Sequence, residues 1–423
     1  MKKFWLHVSE MSAARIYGIA AGAASLVLTA RLLGPSGRGL IAAVTAWVAL
    51  FSGIAGLSLG QVAIYEASNN PDETWFRKTM GSLLAMDLLL SLLSGVVAAV
   101  MWVATRGNIF GHLPLVVLSI GFMALPFQIW EQYSSNLLMA IGQLRIYNKA
   151  HVIGRTVALV MVCVLVGWFR AGVVGAICAT VLSQMSISAF GFRTLWRRAE
   201  GRPAADSTRL TSLLRGGAKL HLNAIGLAMF TQADVVMLNH YRSKAEVGWY
   251  QFALQLITML LIVPHAASMV LYARMGEQGP DKMWPEQKKI GVYLMLVMLA
   301  ILVPTYFIAP WAIPFVAGKS FAPSAHLLRA LLPVVLGTTV SVFMVNQWIG
   351  RGLFLQAATI TLVGGIAILV LDAILIPRYG TMGAIYAALI INVGFVVVTN
   401  AGLALWIDRK RRTANPVVVL ESQ

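Results

Sequence analysis

MGSLLAMDLLLSLLSGVVAAVMWVAT, Met80–Thr105, runs for 26 residues with a single charge, Asp87. A helix rises about 1.5 Å per residue, so such a run is long enough to cross a hydrocarbon core of about 30 Å with some tilt. A membrane barrel would instead show alternating stretches of about ten residues. The rest of the chain repeats the pattern. Of 423 residues 58% are hydrophobic and 12% charged, and the mean hydropathy is +0.76. Soluble domains carry about 25% charged residues. A soluble enzyme, a disordered chain and a disulfide scaffold are therefore excluded. The reading is all-α and polytopic, with about twelve transmembrane helices: 11–33, 39–66, 80–105, 113–140, 150–169, 172–195, 213–240, 246–275, 289–310, 321–349, 354–376 and 381–407.

The net charge of +17 would suggest a nucleic-acid partner in a soluble protein. Here the basic residues sit in short loops and at span ends, and no nucleic-acid partner is expected. With both termini and the even-to-odd loops on one side, that side holds 24 of the 33 Lys and Arg. The imbalance puts both termini in the cytoplasm. Trp102, Trp168, Trp196, Trp249, Trp311, Trp348 and Trp406 near span ends fit interfacial belts. The start, MKKFWLHVSEMSAARIYG, is basic, but Glu10 and Arg15 interrupt it. It reads as part of a mature span.

The longest basic stretch, Arg193 to Arg215, contains Gly201 and Pro203 and falls mid-chain. We read 1–200 as one six-helix lobe, 201–212 as a cytoplasmic linker, and 213–423 as a second lobe with a short tail. An internal repeat supports this. RAGVVGAICATVL from Arg170 returns as RYGTMGAIYAALI from Arg378, 208 residues on. IGQLRIYNKA from Ile141 returns as IGRGLFLQAA from Ile349, again 208 residues on. Gly39 and Gly248 form a looser pair at 209. Six spans per half give two pseudo-symmetric lobes of the same orientation, with a site expected between them.

Catalysis finds little support. No loop offers an extramembrane domain. AGKS at Ala317–Ser320 lacks the first glycine of a phosphate loop. The seven histidines are scattered, and Cys163 and Cys178 lie in apolar runs. No enzyme activity, cofactor or metal is expected. The intramembrane charges carry the signal. Such a group costs about 2.5–3.5 kcal/mol on insertion scales and normally faces a cavity or a partner. Arg15 lies on the first span in line with Gly18, Gly22, Ser25 and Thr29. Lys219 lies on the seventh, followed by Asn223, Gly226, Phe230 and Asp234. Counted from the cytoplasmic ends, Arg15, Asp87, Glu131, Arg155 and Lys219 share one layer. Three readings are open: a polar chamber for a pyrophosphate, buried structural pairs of Asp87 and Glu131 with Arg155 or Arg15, and cations snorkelling to the interface. Arg31, Arg38 and Arg242 read as outer anchors. Asp234 and Asp372 read as satisfied polar groups or coupling sites. His265 after Pro264 reads as a hydrogen-bonded neutral histidine at a helix kink or as a proton-sensitive group, and Gln61 and Gln128 as candidates for sugar hydroxyls.

ARLLGPSGRGLIAAVTAW (Ala30–Trp47), GLSLGQVAIYEASNN (Gly56–Asn70) and ADVVMLNHYRSKAEVGWYQFALQL (Ala233–Leu256) resemble bacterial O-antigen and exopolysaccharide lipid-carrier flippases. MAIGQLRIYNKA (Met139–Ala150) and VVGAICATVLSQ (Val173–Gln184) resemble later parts of that family. Its superfamily also holds multidrug and toxin extruders and the peptidoglycan-precursor flippase. The resemblance implies two lobes working by alternating access in the inner membrane. It implies an undecaprenyl-pyrophosphate-linked oligosaccharide as cargo, moved from the cytoplasmic to the outer leaflet for surface polysaccharide (lipopolysaccharide or exopolysaccharide) biosynthesis. Arg15, Arg31 and Lys219 would be the lumen cations, matched by helix. Asp87, Glu131, Arg155, Asn223, Gln61 and Asp234 are candidates for the surrounding polar network. The implied partners are the lipid-linked oligosaccharide, the bilayer, a polysaccharide polymerase and glycosyltransferases, with the protein itself a monomer. The alternative is a Na⁺- or H⁺-coupled extruder of the same superfamily; a membrane-embedded sugar transferase or ligase ranks third.

The charge asymmetry gives a direct expectation. Green fluorescent protein fused after Gln423 fluoresces, and alkaline phosphatase fused there is inactive. The opposite pair of results would reverse the orientation.

Overall fold

A computed structural model describes the backbone of residues 2–67, 73–199 and 201–414. Within these segments, side chains are described for residues 16–409 except Glu73, Leu144, Lys219, Ala273 and Phe354. Every regular element among the described residues is helical. In chain order they are α1 (Lys2–Ala55), α2 (Leu59–Ala67), α3 (Glu73–Thr105), α4 (Leu115–Phe122), α5 (Leu125–Ala140), α6 (Leu144–Met161), α7 (Gly172–Arg198) and α8 (Ser207–Tyr241). They continue as α9 (Lys244–Leu260), α10 (Ile262–Gln278), α11 (Pro280–Ala317), α12 (Ala322–Gly350), α13 (Phe354–Tyr379), α14 (Thr381–Leu389) and α15 (Val396–Ala414). Single π-helical turns follow α6, at Val162–Trp168, and α14, at Ile390–Phe395.

The opening stretch forms most of α3, and its burial is inverted relative to a soluble helix. Thr79, Ser82 and Asp87 are buried, while Leu88, Leu92 and Val103 are more than half exposed. An apolar strip of this size in water would mark an aggregation surface; against lipid tails it is the solvated face. Ten helical stretches among the described residues are long and apolar enough to cross a membrane. The chain is a multi-pass membrane protein. α1 counts once among the ten, although Gly34 (φ 66°, ψ −176°) breaks it before Pro35. A left-handed glycine ends one helix, and a proline with preset φ starts the next. α8, with Arg209, Arg215, Lys219 and Asp234 along it, falls outside the ten. Twelve crossings require counting α1 on both sides of Gly34 and admitting α8, and that count is taken up below as a proposal.

Several expected spans are interrupted. The stretch 39–66 divides at Leu57 and Ser58, both at positive φ, and the Tyr133 hydroxyl donates to the Gly56 carbonyl at 3.0 Å. The stretch 113–140 divides at Met123–Ala124, ahead of Pro126 in the first turn of α5. The stretch 246–275 divides at Leu261, where Pro264 supplies no N–H to the preceding turn. Freed backbone groups are tolerable at membrane depth where protein surrounds them.

The chain forms two compact units: Met1–Phe252 with Ile313–Ala322, and Ala253–Ala312 with Pro323–Gln423. In the first, apolar clusters sit around Trp47, Phe110 and Leu125 and around Met80, Ile129 and Tyr133. α8 packs here. A Cβ at Gly217 would stand 2.4 Å from the Leu57 carbonyl oxygen, and one at Gly216 would stand 2.7 Å from Val62. The compact units therefore differ from the 1–200 and 213–423 lobes drawn from the repeat, a division carried forward as a proposal. In the second unit, Trp284, Trp348 and Ile407 form a buried cluster. Trp348 is 1% exposed and donates to Asn400 Oδ1 at 2.7 Å. It is a core residue and not part of an interfacial belt, because its indole N–H has a buried acceptor. Trp168 and Trp311, at 84% and 80% exposure, keep the belt reading.

The repeat has local counterparts in each unit. Gly172 (φ 60°) and Gly380 (φ 63°) both precede close glycine contacts, Gly175 against Leu165 and Gly383 against Leu375. The Ile141 and Ile349 turns shift register. The left-handed glycines are Gly142 and Gly352, 210 residues apart. Gln143 and Leu353 close matching bonds to the Leu138 and Trp348 carbonyls, both at 2.8 Å.

The third pair meets directly. A Cβ at Gly39 would lie 1.7 Å from the Lys244 carbonyl oxygen, and one at Gly248 would lie 2.0 Å from the Pro35 carbonyl oxygen. Two helix starts cross here backbone to backbone, a close approach that small residues permit.

The stretch 201–212 is docked. Asp206 caps α8, accepting the Arg209 N–H at 3.0 Å, and pairs with Lys78 at 3.2 Å. Its backbone N–H donates to Ser82 Oγ at 3.1 Å. Glu66, at the end of α2, accepts from Trp75 and Ser212 and lies 3.7 Å from Arg209.

Three expectations follow. Gly39→Leu lowers the stability of the purified protein by about 1–3 kcal/mol through overpacking. Gly18→Ala, where nothing lies within 4 Å, leaves the melting temperature unchanged or raised. The Asp206 carboxyl is held below the usual carboxylate range by the Arg209 N–H and then by Lys78. A group with a lowered folded-state pKa contributes stability above its unfolded value and loses it as pH falls through the folded value. The melting-temperature gap between wild type and Asp206→Asn is thus full at pH 6 and closes below about pH 4. A gap independent of pH would leave the cap without a charge contribution.

Candidate functional site

α6 carries Tyr147, His151 and Arg155 at intervals of four, which puts them on one face. α6 sits close to α7 at Gly154, where an added Cβ would meet Ile187 at 2.3 Å and where Ser183 Oγ donates to the carbonyl at 2.8 Å. That approach aligns the α6 face with Glu131 of α5 and Gln184 of α7. His151 Nε2 lies 3.6 Å from Glu131 Oε1, too long for a hydrogen bond. The Gln184 side chain faces the Glu131 carboxyl, which also feels the charge of Arg155. The Tyr147 ring meets the His151 ring edge-on at 4.4 Å. The Tyr17 hydroxyl of α1 and Thr156 Oγ1 lie 2.7 Å apart.

Depth is set by the spans. Arg155 lies ten residues into the span Arg145–Trp168, and Glu131 nine residues from the end of the span Leu115–Ala140 at Ala140. At 1.5 Å per residue both lie about 14–15 Å from those helix ends. Arg155 is exposed on the unit's surface, and its guanidinium has no hydrogen bond or ion pair among the described residues. A bare guanidinium is costly against lipid tails, and water or a bound anion on this face would offset that cost.

The other candidates take different positions. Arg31 donates from Nε to the Val316 carbonyl and from Nη2 to the Phe315 carbonyl, both at 2.7 Å, closing the last turn of α11. Arg38 is buried and donates to Thr29 Oγ1 at 3.2 Å across the Gly34 break. Arg242 is partly buried. Asp234 accepts the Tyr250 hydroxyl at 2.6 Å and the Val235 N–H at 2.7 Å. Asp87 is 5% exposed, with Oδ1 unpartnered. It acts on Tyr133, which lies two residues beyond Glu131 and so on the opposite side of α5. Gln128 accepts from Ser52 Oγ at 3.0 Å beside a small cavity lined by Thr45 and Thr180. Gln61, Asn223 and His265 are exposed, and Asp372 is fully buried in the second unit. Arg15 and Lys219 lie on α1 and α8, but their side chains are outside the described residues. Of the expected layer, the structure brings Glu131 and Arg155 together. It adds His151, Gln184, Tyr17 and Thr156, which the sequence analysis did not select. The four-residue spacing of Tyr147, His151 and Arg155 was the available signal. No group of three His, Cys, Asp or Glu suited to a metal occurs among the described residues.

A family model described as "Polysaccharide biosynthesis protein" matches residues 8–278, well over half the chain. The chain belongs to the polysaccharide biosynthesis protein family. No curated protein matches it by sequence. Among solved structures, this family member is similar to the lipid II flippase MurJ in an inward closed conformation. The TM-score is 0.79 at 13% identity, covering 93% of this chain and 87% of that one. It is similar to an inward-facing multidrug resistance MATE family transporter of the MOP superfamily, with TM-score 0.70 at 18% identity and coverage of 94% and 95%. A MOP superfamily transporter from Pyrococcus furiosus, titled for the reverse polarity of its binding pocket, gives 0.62 at 18%, covering 96% and 95%. At these identities the likeness is one of fold: the chain has the architecture of MOP-superfamily flippases and transporters.

Proposed function

We propose that this protein is a flippase for undecaprenyl-pyrophosphate-linked oligosaccharide units, carrying them from the cytoplasmic to the outer leaflet of the bacterial inner membrane. Arg155, an open guanidinium within a span beside Glu131, His151 and Tyr17, carries the reading. A pyrophosphate-sugar head cannot cross hydrocarbon unaided, because burying its charge and hydroxyls without partners is prohibitive. A wet face with a fixed cation lowers that barrier, and a guanidinium suits phosphate oxygens through paired hydrogen bonds. The lipid tail stays in the bilayer. The family match and the fold shared with a lipid II flippase support the same class of cargo.

In this proposal the chain crosses the membrane twelve times, with both termini cytoplasmic. Residues 1–200 and 213–423 act as alternating lobes joined by 201–212, and Arg15 and Lys219 from the two lobe-opening helices extend the cationic lining. The protein makes no covalent change to its cargo. Glycosyltransferases supply the unit, a polymerase consumes it, and the protein works as a monomer.

The Arg15→Gln/Lys219→Gln double variant stays in the membrane at wild-type level while surface glycan output falls to background. Full output from the stably expressed variant would overturn the assignment of these cations. The second reading, an ion-coupled extruder, is favoured by the match to a multidrug transporter fold. It requires deletion to sensitise cells to organic cations, whereas the flippase reading expects no such change.

A further inference from the structure

We propose that Glu131 is a built-in counter-anion that competes with the cargo's pyrophosphate for Arg155. This rests on the flippase reading above and specifies how its site empties.

Glu131 and Arg155 lie at matching depth on adjacent helices; Arg155 stands one turn of α6 from His151, whose Nε2 is 3.6 Å from Glu131 Oε1, and no hydrogen bond or ion pair joins Glu131 to the guanidinium among the described residues. The carboxyl lies between Gln184 of α7 and the α6 face that carries both His151, at 3.6 Å, and Arg155. Its side chain is 20% exposed, so solvent does little to screen it. Two demands meet here. An empty site within a span with a lone cation is costly, and a nearby carboxylate offsets that cost. A lone cation would also hold a diphosphate more firmly than a cation with a carboxylate beside it. A carboxylate fixed near the cation, but not bonded to it, serves both needs. It leaves the guanidinium donors open, and a diphosphate with more charge and more acceptor oxygens displaces its influence. When the cargo leaves, Glu131 again neutralises Arg155. Glu131 acts through Arg155 and is a positioning residue.

If Glu131 only braces α5 against α6 and α7, its removal loosens the site. The two roles predict opposite signs, so binding separates them. The experiment measures equilibrium binding of farnesyl pyrophosphate and of inorganic pyrophosphate to the full-length protein in nanodiscs. Glu131→Gln binds farnesyl pyrophosphate about fivefold or more tightly than wild type, within the usual range of site–site coupling. It also exports less glycan, because release slows. Glu131→Asp, which keeps the charge on a shorter arm, restores export and wild-type affinity in part. It gives the same sign of change should the Gln variant not be recovered folded. Arg155→Gln binds at least tenfold more weakly, and adding Glu131→Gln to it produces no tightening. Unchanged or weaker binding by Glu131→Gln, with Arg155→Gln still weakened, overturns the counter-anion role and leaves the flippase reading standing. Unchanged binding by Arg155→Gln, or no binding of either probe to wild type, overturns the seat itself and the counter-anion role with it. Equal tightening for inorganic pyrophosphate supports a site that reads the phosphate; tightening for farnesyl pyrophosphate alone supports one that also needs the lipid.

Discussion

A charge has no stable place against lipid tails, and this constraint organises the molecule. α3 answers it by turning inside out, with Asp87 buried against protein and Leu88 and Leu92 exposed. The same rule governs the cations, which meet it in three ways. Arg31 and Lys244 spend their donors on backbone carbonyls, Arg31 at the end of α11 and Lys244 at Gly111 and Asn239. Arg38 is enclosed beside Thr29. Arg155 is exposed and makes no hydrogen bond or ion pair among the described residues, and an open guanidinium within a span is costly against lipid tails. The functional reading grows from this last case.

Backbone interruptions follow a related rule. α1 breaks at Gly34–Pro35, the α1–α2 turn passes through positive φ at Leu57 and Ser58, and π-helical turns follow α6 and α14. Each leaves backbone groups without their usual helical partners, so each must be enclosed by protein or reach water. The Gly56 carbonyl is taken by Tyr133. In the second π turn, Asn392 donates to the Ala388 carbonyl and accepts from Thr338, while its own backbone lies against Gly337. Glycines at such points permit helices to approach within contact of each other's backbone. Gly39 and Gly248 are the extreme case, each facing a carbonyl oxygen of the other helix.

The polar cluster and the stretch 201–212 show how acids are used. Asp206 and Glu66 are bonded into the junction of α2, α3 and α8, where they cap, pair and hold that stretch down. Glu131 is held by neighbours yet stops short of bonding Arg155. The first arrangement fixes structure. In the proposal made here, the second leaves a cation available while moderating its field.

Sequence alone determined the class of the molecule, because the length and polarity of an apolar run report directly on whether it can span a bilayer. It also marked Glu131 and Arg155 as charges needing an explanation, since their insertion cost does not depend on the neighbours. The neighbours were decided by helix packing. Nothing local says that His151 and Gln184 converge on Glu131, that Asp87 lies across α5 from it, or that Arg31 finds the carbonyls at the end of α11. Trp348 read as an interfacial residue until Asn400 supplied a buried acceptor. The repeat was visible as letters at an offset of 208, but the left-handed turn glycines lie 210 apart, because similar apolar letters fix a segment less tightly than backbone conformation does. Polarity is a property of each residue and can be read along the chain; which polar groups share a site depends on how the helices rotate and cross, and only the tertiary structure supplies that.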